Sequence, residues 1–127
     1  KSLNFGIKRR LTLEDLDGLP FINLNTRSPL GGLLASRMEA NNIQFQNVAK
    51  VETYQIAKAL VAHGAGVCII DEVTAKSTGH RDVIAWKLQP PLHFNIALLH
   101  LESEPISIVT QRFVEHLKIA VAEFLKA

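Results

Sequence analysis

The run from Val51 to Asp71, VETYQIAKALVAHGAGVCIID, constrains the fold of this chain more than any other segment. Apolar residues recur at helical spacing over Thr53–His63, and Gly64 stands where a helix commonly ends on a left-handed residue. The next residues, Val67–Ile70, are continuously apolar, as expected of a strand that is covered on both faces. A helix that leads into a buried strand predicts an α/β fold, with the acidic pair Asp71-Glu72 at the carboxyl end of that strand.

The rest of the chain shows the same alternation of strand and helix patterns. Ser28 and Pro29 suit the N-cap and the first position of a helix, and Thr12 with Asp15 has the pattern of a capped turn. Strands are predicted at 21–24, 45–51, 67–70, 83–88 and 93–101, and helices at 30–41, 53–63, 72–77 and from Ile106 onward. This order predicts βαβ units around a largely parallel sheet.

Composition and charge exclude several classes of protein. The chain has 127 residues, enough for one domain with a core, and its 14 basic and 12 acidic residues include no long basic run of the kind that nucleic-acid binders carry. The single cysteine, Cys68, cannot form an internal disulfide and fits a reducing cytoplasm. No apolar stretch is long enough to span a membrane and no secretory signal is present. Because the chain begins at Lys1 rather than Met, we expect a fragment or a trimmed chain.

No motif in the sequence predicts catalysis, a cofactor or a metal site. The glycines of Gly64-Ala65-Gly66 follow a helix and precede a strand, whereas a dinucleotide-binding loop follows a strand and precedes a helix. No nucleophile elbow or P-loop is present. The five histidines form no i, i+4 pair on a predicted helix, and one cysteine cannot complete a zinc site.

Polar residues at two strand ends are the candidate binding groups, and each has a structural and a functional interpretation. Ser28 either only caps its helix or also helps an anion to bind at the helix N-terminus, where Arg27 adds positive charge. Asp71 either caps the next helix, with Glu72 in its first turn, or one of the two carboxylates receives a cationic ligand group. The residues themselves leave both alternatives open.

Three passages resemble the LysR-type transcriptional regulators. Leu11–Ile22, LTLEDLDGLPFI, resembles the family passage T-x-x-D-L-x-G-x-P-x-I, and Ala59–Ile70, ALVAHGAGVCII, resembles its LV-x-x-G-x-G-V helix-to-strand passage. The region from Pro90-Pro91 to Ser107, with the terminal helix, is similar to the family's C-terminal return. The three passages occur in the family's order, and the resemblance extends over nearly the whole chain.

This resemblance implies an α/β fold like that of type II periplasmic binding proteins, with two lobes and an effector in the cleft between them. Residues 1–127 would then form part of an effector-binding domain. Residues 20–70 or so would build the second lobe, and residues 1–19 and 71–127 would form the crossover and the return into the first lobe. The DNA-binding domain, the linker helix and the first part of lobe one would precede Lys1.

Within the family, residues 25–31, 51–53 and 70–75 look most like the branch that senses opines or related amino acids, although Glu72 stands where that branch has Pro. The resemblance implies a cytoplasmic sensor without catalytic activity that forms homodimers or homotetramers, in part through helix 30–41, and binds DNA only through its absent domain. An extracytoplasmic solute-binding protein and an enzyme of the same architecture remain alternatives. The predicted ligand-binding residues are Asn25, Thr26, Arg27, Ser28, Asp71, Glu72 and Thr74.

Overall fold

The structure, a computed structural model, describes residues 10–77 and 82–126. The chain divides into two compact units, residues 1–94 and 95–127. The first unit contains β1 (Arg10–Leu11), a 3-10 helix (Glu14–Leu16), β2 (Pro20–Leu24), α1 (Pro29–Ala40), β3 (Gln46–Val51), α2 (Tyr54–Ala62), α3 (Glu72–Lys76) and β4 (Lys87–Leu88). The second contains α4 (Ile108–Lys126).

Parallel pairing around β2 organises the first unit. β2 pairs with β3 along its whole length, from Pro20 opposite Gln46 to Leu24 opposite Val51. On its other side, β2 forms a parallel bridge to Val67, with two backbone hydrogen bonds of 2.9 Å. β1 and β4 also pair in parallel. The helices α1 and α2 make the two crossovers between these segments, which confirms the predicted mixed α/β fold with parallel pairing.

The core lies on both faces of β2. On one face, Phe21 is 0% exposed, and the centroid of its ring lies 4.1 Å from the centroid of the Phe45 ring. Ile22 and Leu24 are buried on the other face, against Leu30 at the start of α1 and Ala57 on α2. Each face of the central strand is therefore covered, as side-chain alternation along a buried parallel strand requires.

The predicted helix boundaries agree with the observed caps. The Ser28 hydroxyl accepts a hydrogen bond from the Gly31 N–H at the start of α1, and Thr53 accepts one from Ile56 at the start of α2. After α2, Gly64 has φ 78°, the left-handed conformation that glycine adopts without steric cost. The predicted turn at Thr12 is also present, because Thr12 N–H donates to Asp15 Oδ2 at 2.9 Å.

Three predicted strands are shorter than expected or absent. Residues 67–70 pair only at Val67, and the strand predicted at 83–88 is restricted to Lys87–Leu88. The strand predicted at 93–101 is wrong, since these residues have no ladder pairing and Leu99 is 90% exposed. An apolar run becomes a strand only beside another backbone segment that pairs with its N–H and C=O groups. Among the described residues, no segment pairs with residues 93–101.

The long helix of the second unit has an apolar stripe that is not covered. α4 begins at Ile108 rather than at Ile106, because the Ser107 hydroxyl accepts the Thr110 N–H at 3.1 Å and caps the helix. No described residue of α4 is buried, and Phe113 is 62% exposed. The stripe predicted from the sequence is present, but nothing described in this unit packs against it.

We expect Cys68 to resist alkylation in the folded protein. Cys68 packs against the buried cluster of Ile22, Leu24, Leu30 and Ala57, and burial raises the pKa of its thiol from 9.0 to about 11. At pH 8, a thiol with a pKa of about 11 has about 100-fold less of the reactive thiolate than a thiol with a pKa of 9.0. Iodoacetamide labelling, followed on the Cys68 peptide by mass spectrometry, should be slow in native protein and fast in urea. Equal rates in both conditions would contradict this placement.

Candidate functional site at the carboxyl edge of the parallel strands

Three parallel segments end on the same edge of the first unit. β2 leads into Asn25, β3 leads into Glu52, and the segment that begins at Val67 leads into Asp71. In open α/β sheets, ligands bind outside the carboxyl ends of the strands, because helix N-termini and loop polar groups converge there. The candidate site is therefore assembled from residues 25–28, 52–54 and 71–74.

The junction between β2 and α1 is a compact turn organised by Asn25. Its N–H donates to Val51 O at 3.0 Å, and its side-chain Oδ1 accepts the Arg27 N–H at 3.0 Å. Its carbonyl oxygen accepts both the N–H and the hydroxyl of Ser28, at 2.9 and 2.8 Å. The Asn25 side chain is thus a structural part of the junction, while Thr26 and Arg27 at the tip of the turn are exposed.

A second role of Asn25 involves Glu52, which the sequence did not single out. The Asn25 side-chain amide donates to both oxygens of the Glu52 carboxylate, at 2.8 and 2.9 Å. These contacts join the end of β2 to the end of β3. Because the pair is separated by 27 residues, only the parallel pairing of the two strands brings it together.

The first turn of α1 has its N–H groups directed at partners within the chain. The Gly31 N–H donates to the Ser28 hydroxyl at 3.1 Å, and the Gly32 N–H donates to Ser28 O at 2.9 Å. A side chain on Gly31 would collide with Asn25 O and with the Ser28 hydroxyl. Glycine at 31 therefore lets the chain's own carbonyl approach the helix, and an anion at this turn would compete with the Ser28 hydroxyl for a donor.

Replacing Ser28 with Ala should lower the free energy of unfolding by about 1 kcal/mol, the usual cost of losing an N-cap. The hydroxyl both accepts from Gly31 and donates to Asn25, so its loss loosens the whole turn. Thermal denaturation measures the effect, with the exposed neighbour variant Thr26→Ala as the matched control. The same small change in both variants would mean that the cap contributes nothing.

Asp71 carries an unsatisfied carboxylate oxygen at the same edge. Its Oδ1 accepts the Thr74 N–H at 2.9 Å, so Asp71 is the N-cap of α3, as predicted. Its Oδ2 is buried and has no hydrogen-bond partner among the described residues. A buried carboxylate oxygen without a donor is costly, and such an oxygen calls for a ligand, an ion or water that supplies one.

Tyr54, the first residue of α2, carries a hydroxyl that is influenced by both parts of the site, and the sequence did not predict it as a site residue. Burial raises the pKa of its hydroxyl, the nearby Asp71 carboxylate raises it further, and a backbone hydrogen bond to Leu30 opposes these effects. The Tyr54 hydroxyl is therefore influenced electrostatically by the Asp71 carboxylate and by the backbone of Leu30 in the first turn of α1.

Glu72 and Thr74 occupy different positions in α3. Glu72 is exposed and forms an i, i+4 ion pair with Lys76 at 3.0 Å. Thr74 is buried, and its carbonyl oxygen accepts hydrogen bonds from the Lys58 ammonium and the Ser77 hydroxyl. Of the predicted residues, Asp71 and Thr74 therefore face the interior of the first unit, whereas Glu72 faces solvent.

Comparison with known proteins places this arrangement in a family. The profile of the LysR substrate binding domain matches residues 4–122. This chain belongs to the LysR substrate-binding domain family. It is also 42% identical over 117 residues to the HTH-type transcriptional regulator DgcR of Pseudoalteromonas sp.. The match covers 92% of this chain and 40% of that relative, so this LysR-type domain spans less than half of the relative's length.

The LysR family match supports the type II periplasmic-binding-protein-like fold that the resemblance implied, and the described residues are correspondingly mixed α/β. The allocation of residues to two lobes and the seven predicted ligand-binding residues remain predictions. Within the described residues, no group of three or more His, Cys, Asp or Glu side chains is arranged to hold a metal ion. In the same part of the chain, no helix has the length and apolarity needed to cross a membrane.

Surface depressions are present in both units of this LysR-type domain. One, of about 370 Å³, is lined by Asn23 and by residues 47–50 of β3. The other, of about 320 Å³, lies beside residues 100–110 in the second unit. Neither depression is lined by a predicted ligand-binding residue.

Proposed function

We propose that this chain is part of the effector-sensing domain of a cytoplasmic LysR-type transcriptional regulator and binds a small effector derived from an amino acid. The observation that carries the proposal is the buried, unpartnered Oδ2 of Asp71 at the carboxyl edge of the parallel strands. A cationic group of an effector would supply the missing donor. The HTH-type regulator that this chain resembles supports the regulatory role, and it lends no support to a transport protein.

The anionic end of the effector would bind at the start of α1. There the Ser28 hydroxyl can turn from the Asn25 carbonyl to the ligand, and the helix N-terminus favours negative charge. The exposed Arg27 guanidinium and Thr26 hydroxyl lie at the tip of the same turn and would add charge and hydrogen bonds. Asn25 would act mainly through the turn that it holds in place.

The cationic end would bind at the start of α3. A guanidinium or ammonium group at Asp71 Oδ2 would form a charge-assisted hydrogen bond. Glu72 would contribute long-range attraction from its exposed position. Thr74 would contribute by holding Asp71 through its N–H.

The candidate site at the carboxyl edge of the parallel strands would become a cleft when a facing first lobe covers it. We assign residues 20–70 or so to the second lobe, and residues 1–19 and 71–127 to the crossover and the return into the first. The uncovered stripe of α4 fits a segment that packs elsewhere in a larger protein. Effector binding would shift the population of lobe and subunit arrangements in a homodimer or homotetramer, and a DNA-binding domain outside this chain would respond.

Calorimetry on the complete regulator tests the assignment directly. Octopine, nopaline, arginine and lysine share a carboxylate and a cationic group, and at least one of them should bind with measurable heat. Glutarate, which has two carboxylates and no cation, is the matched control and should not bind. Binding of the dicarboxylate without binding of any cationic compound would contradict the amino-acid assignment.

A further inference from the structure

Lys58, in the middle of α2, is a buried cation that neither the sequence pattern nor the proposed site explains. The residue is only 5% exposed. Its ammonium group donates to the carbonyl oxygens of Thr74, Ala75 and Ser77, at 3.0, 3.1 and 2.7 Å, and lies 3.3 Å from the Ser77 hydroxyl. These acceptors all lie at the C-terminal end of α3.

α3 is too short to be stable without such contacts. It has five residues, little more than one turn, and a helix of that length does not form in isolation because its nucleation cost is not recovered. Asp71 satisfies the N-terminal end through the Thr74 N–H, and Lys58 satisfies the carbonyl groups at the other end. A cation is also favoured at a helix C-terminus by the helix dipole.

We infer that Lys58 is the positioning residue for Asp71. By holding the carbonyl end of α3 against α2, its ammonium group fixes the short helix whose N-cap is the Asp71 carboxylate. Tyr54 lies one helical turn before Lys58 on α2, so the helix that anchors α3 also carries the tyrosine whose pKa the Asp71 carboxylate raises. The consequence for effector affinity rests on the proposed function, whereas the effect on α3 does not.

Hydrogen exchange in the complete regulator tests the effect on α3 without any ligand. Lys58→Met removes the charge and deprives the carbonyl groups of Thr74, Ala75 and Ser77 of a donor. The peptide that spans residues 71–77 should then exchange about tenfold faster, as expected for the loss of a hydrogen-bonded charge. Lys50→Met, the same change at an exposed lysine of β3, is the matched control and should leave this peptide unchanged. An unchanged rate in Lys58→Met would overturn the inference.

A second control separates local from global loosening. Phe45→Leu weakens the core around Phe21, on the face of β2 opposite the one that contacts Ala57 of α2. The cluster that contains Phe45 includes no residue of α3. This variant should lower the melting temperature without selectively accelerating exchange in residues 71–77. Equal acceleration of that peptide by Phe45→Leu and Lys58→Met would mean that Lys58 contributes only to general stability, which also overturns the inference. If Lys58→Met does not fold, Lys58→Gln keeps two N–H donors and should show a smaller change in the same direction.

A double-mutant cycle with arginine as the probe tests the consequence for binding. Lys58→Met should weaken arginine binding about tenfold in the wild-type background and have no effect in the Asp71→Asn background, because the residue acts through that carboxylate. Equal losses in both backgrounds would contradict positioning through Asp71. If arginine does not bind the wild type, the cycle uses whichever of octopine, nopaline and lysine does bind. If none of the four binds, the amino-acid assignment is at fault, and the exchange experiment still decides the role of Lys58.

Discussion

Asp71→Asn should weaken binding of a cationic amino-acid effector by about 10- to 100-fold while changing the stability of the domain little. The two consequences separate because the two oxygens of Asp71 have different roles. Oδ1 caps α3 through the Thr74 N–H, and an asparagine side chain caps a helix as well as an aspartate does. Oδ2 has no partner in the chain, so removing the negative charge there affects the ligand.

Calorimetry gives the affinity of the variant and thermal denaturation gives its stability. Glu72→Gln is the matched control, because it removes the neighbouring charge at an exposed position whose partner is Lys76. That variant should lose less than about 1 kcal/mol of binding free energy, the usual size of exposed charge effects. If Glu72→Gln weakens binding and Asp71→Asn does not, the cation site belongs to Glu72 and our assignment of Asp71 is wrong.

Phe21→Ala should lower the free energy of unfolding by about 3–5 kcal/mol, the usual cost of truncating a buried phenylalanine. Phe21 is 0% exposed and lies on the central strand, between its parallel neighbours at Asn47 and Val67. Its ring stacks against Phe45, so removal leaves a cavity where two elements meet. Because a domain is stable by only about 5–15 kcal/mol, we expect much of the variant to be unfolded near 37 °C.

Guanidinium denaturation of the complete effector domain measures the loss, and Ile56→Ala provides the control. Ile56 lies on α2 with 51% of its surface exposed, so its truncation should cost less than about 1 kcal/mol. Phe21→Leu keeps most of the buried volume and should lie between the two. A loss for Phe21→Ala no larger than that for Ile56→Ala would mean that β2 is not the centre of the core.

Local sequence predicted the helix boundaries of this protein well. Ser28 caps α1 as predicted, Asp71 takes the capping role that the sequence offered as one alternative, and Thr53 caps the helix predicted at 53–63. Gly64 ends α2 in the left-handed conformation. These features depend on hydrogen bonds between residues three or four positions apart, so the residue types themselves contain the information. The parallel α/β arrangement followed from the alternation of strand and helix patterns along the chain, which is typical of βαβ units.

Local sequence did not predict the lengths of the strands or the contacts between the side chains of the candidate site. Residues 93–101 have an apolar sequence that favours a strand, but pairing depends on a partner that no local pattern specifies. The Asn25–Glu52 contact joins residues 27 positions apart, and Lys58 reaches carbonyl groups 16 to 19 positions along the chain. None of these three side chains carries a local signal of its partner.

The sequence by itself determined the class of fold, the caps that start and end the helices, and the family to which the chain belongs. Only the tertiary structure decided that one Asp71 oxygen is satisfied and the other is not, and that the Lys58 ammonium group contacts the helix that Asp71 caps. The physical reason is that a cap is a contact within one turn, whereas the environment of a carboxylate oxygen depends on every element that packs around it.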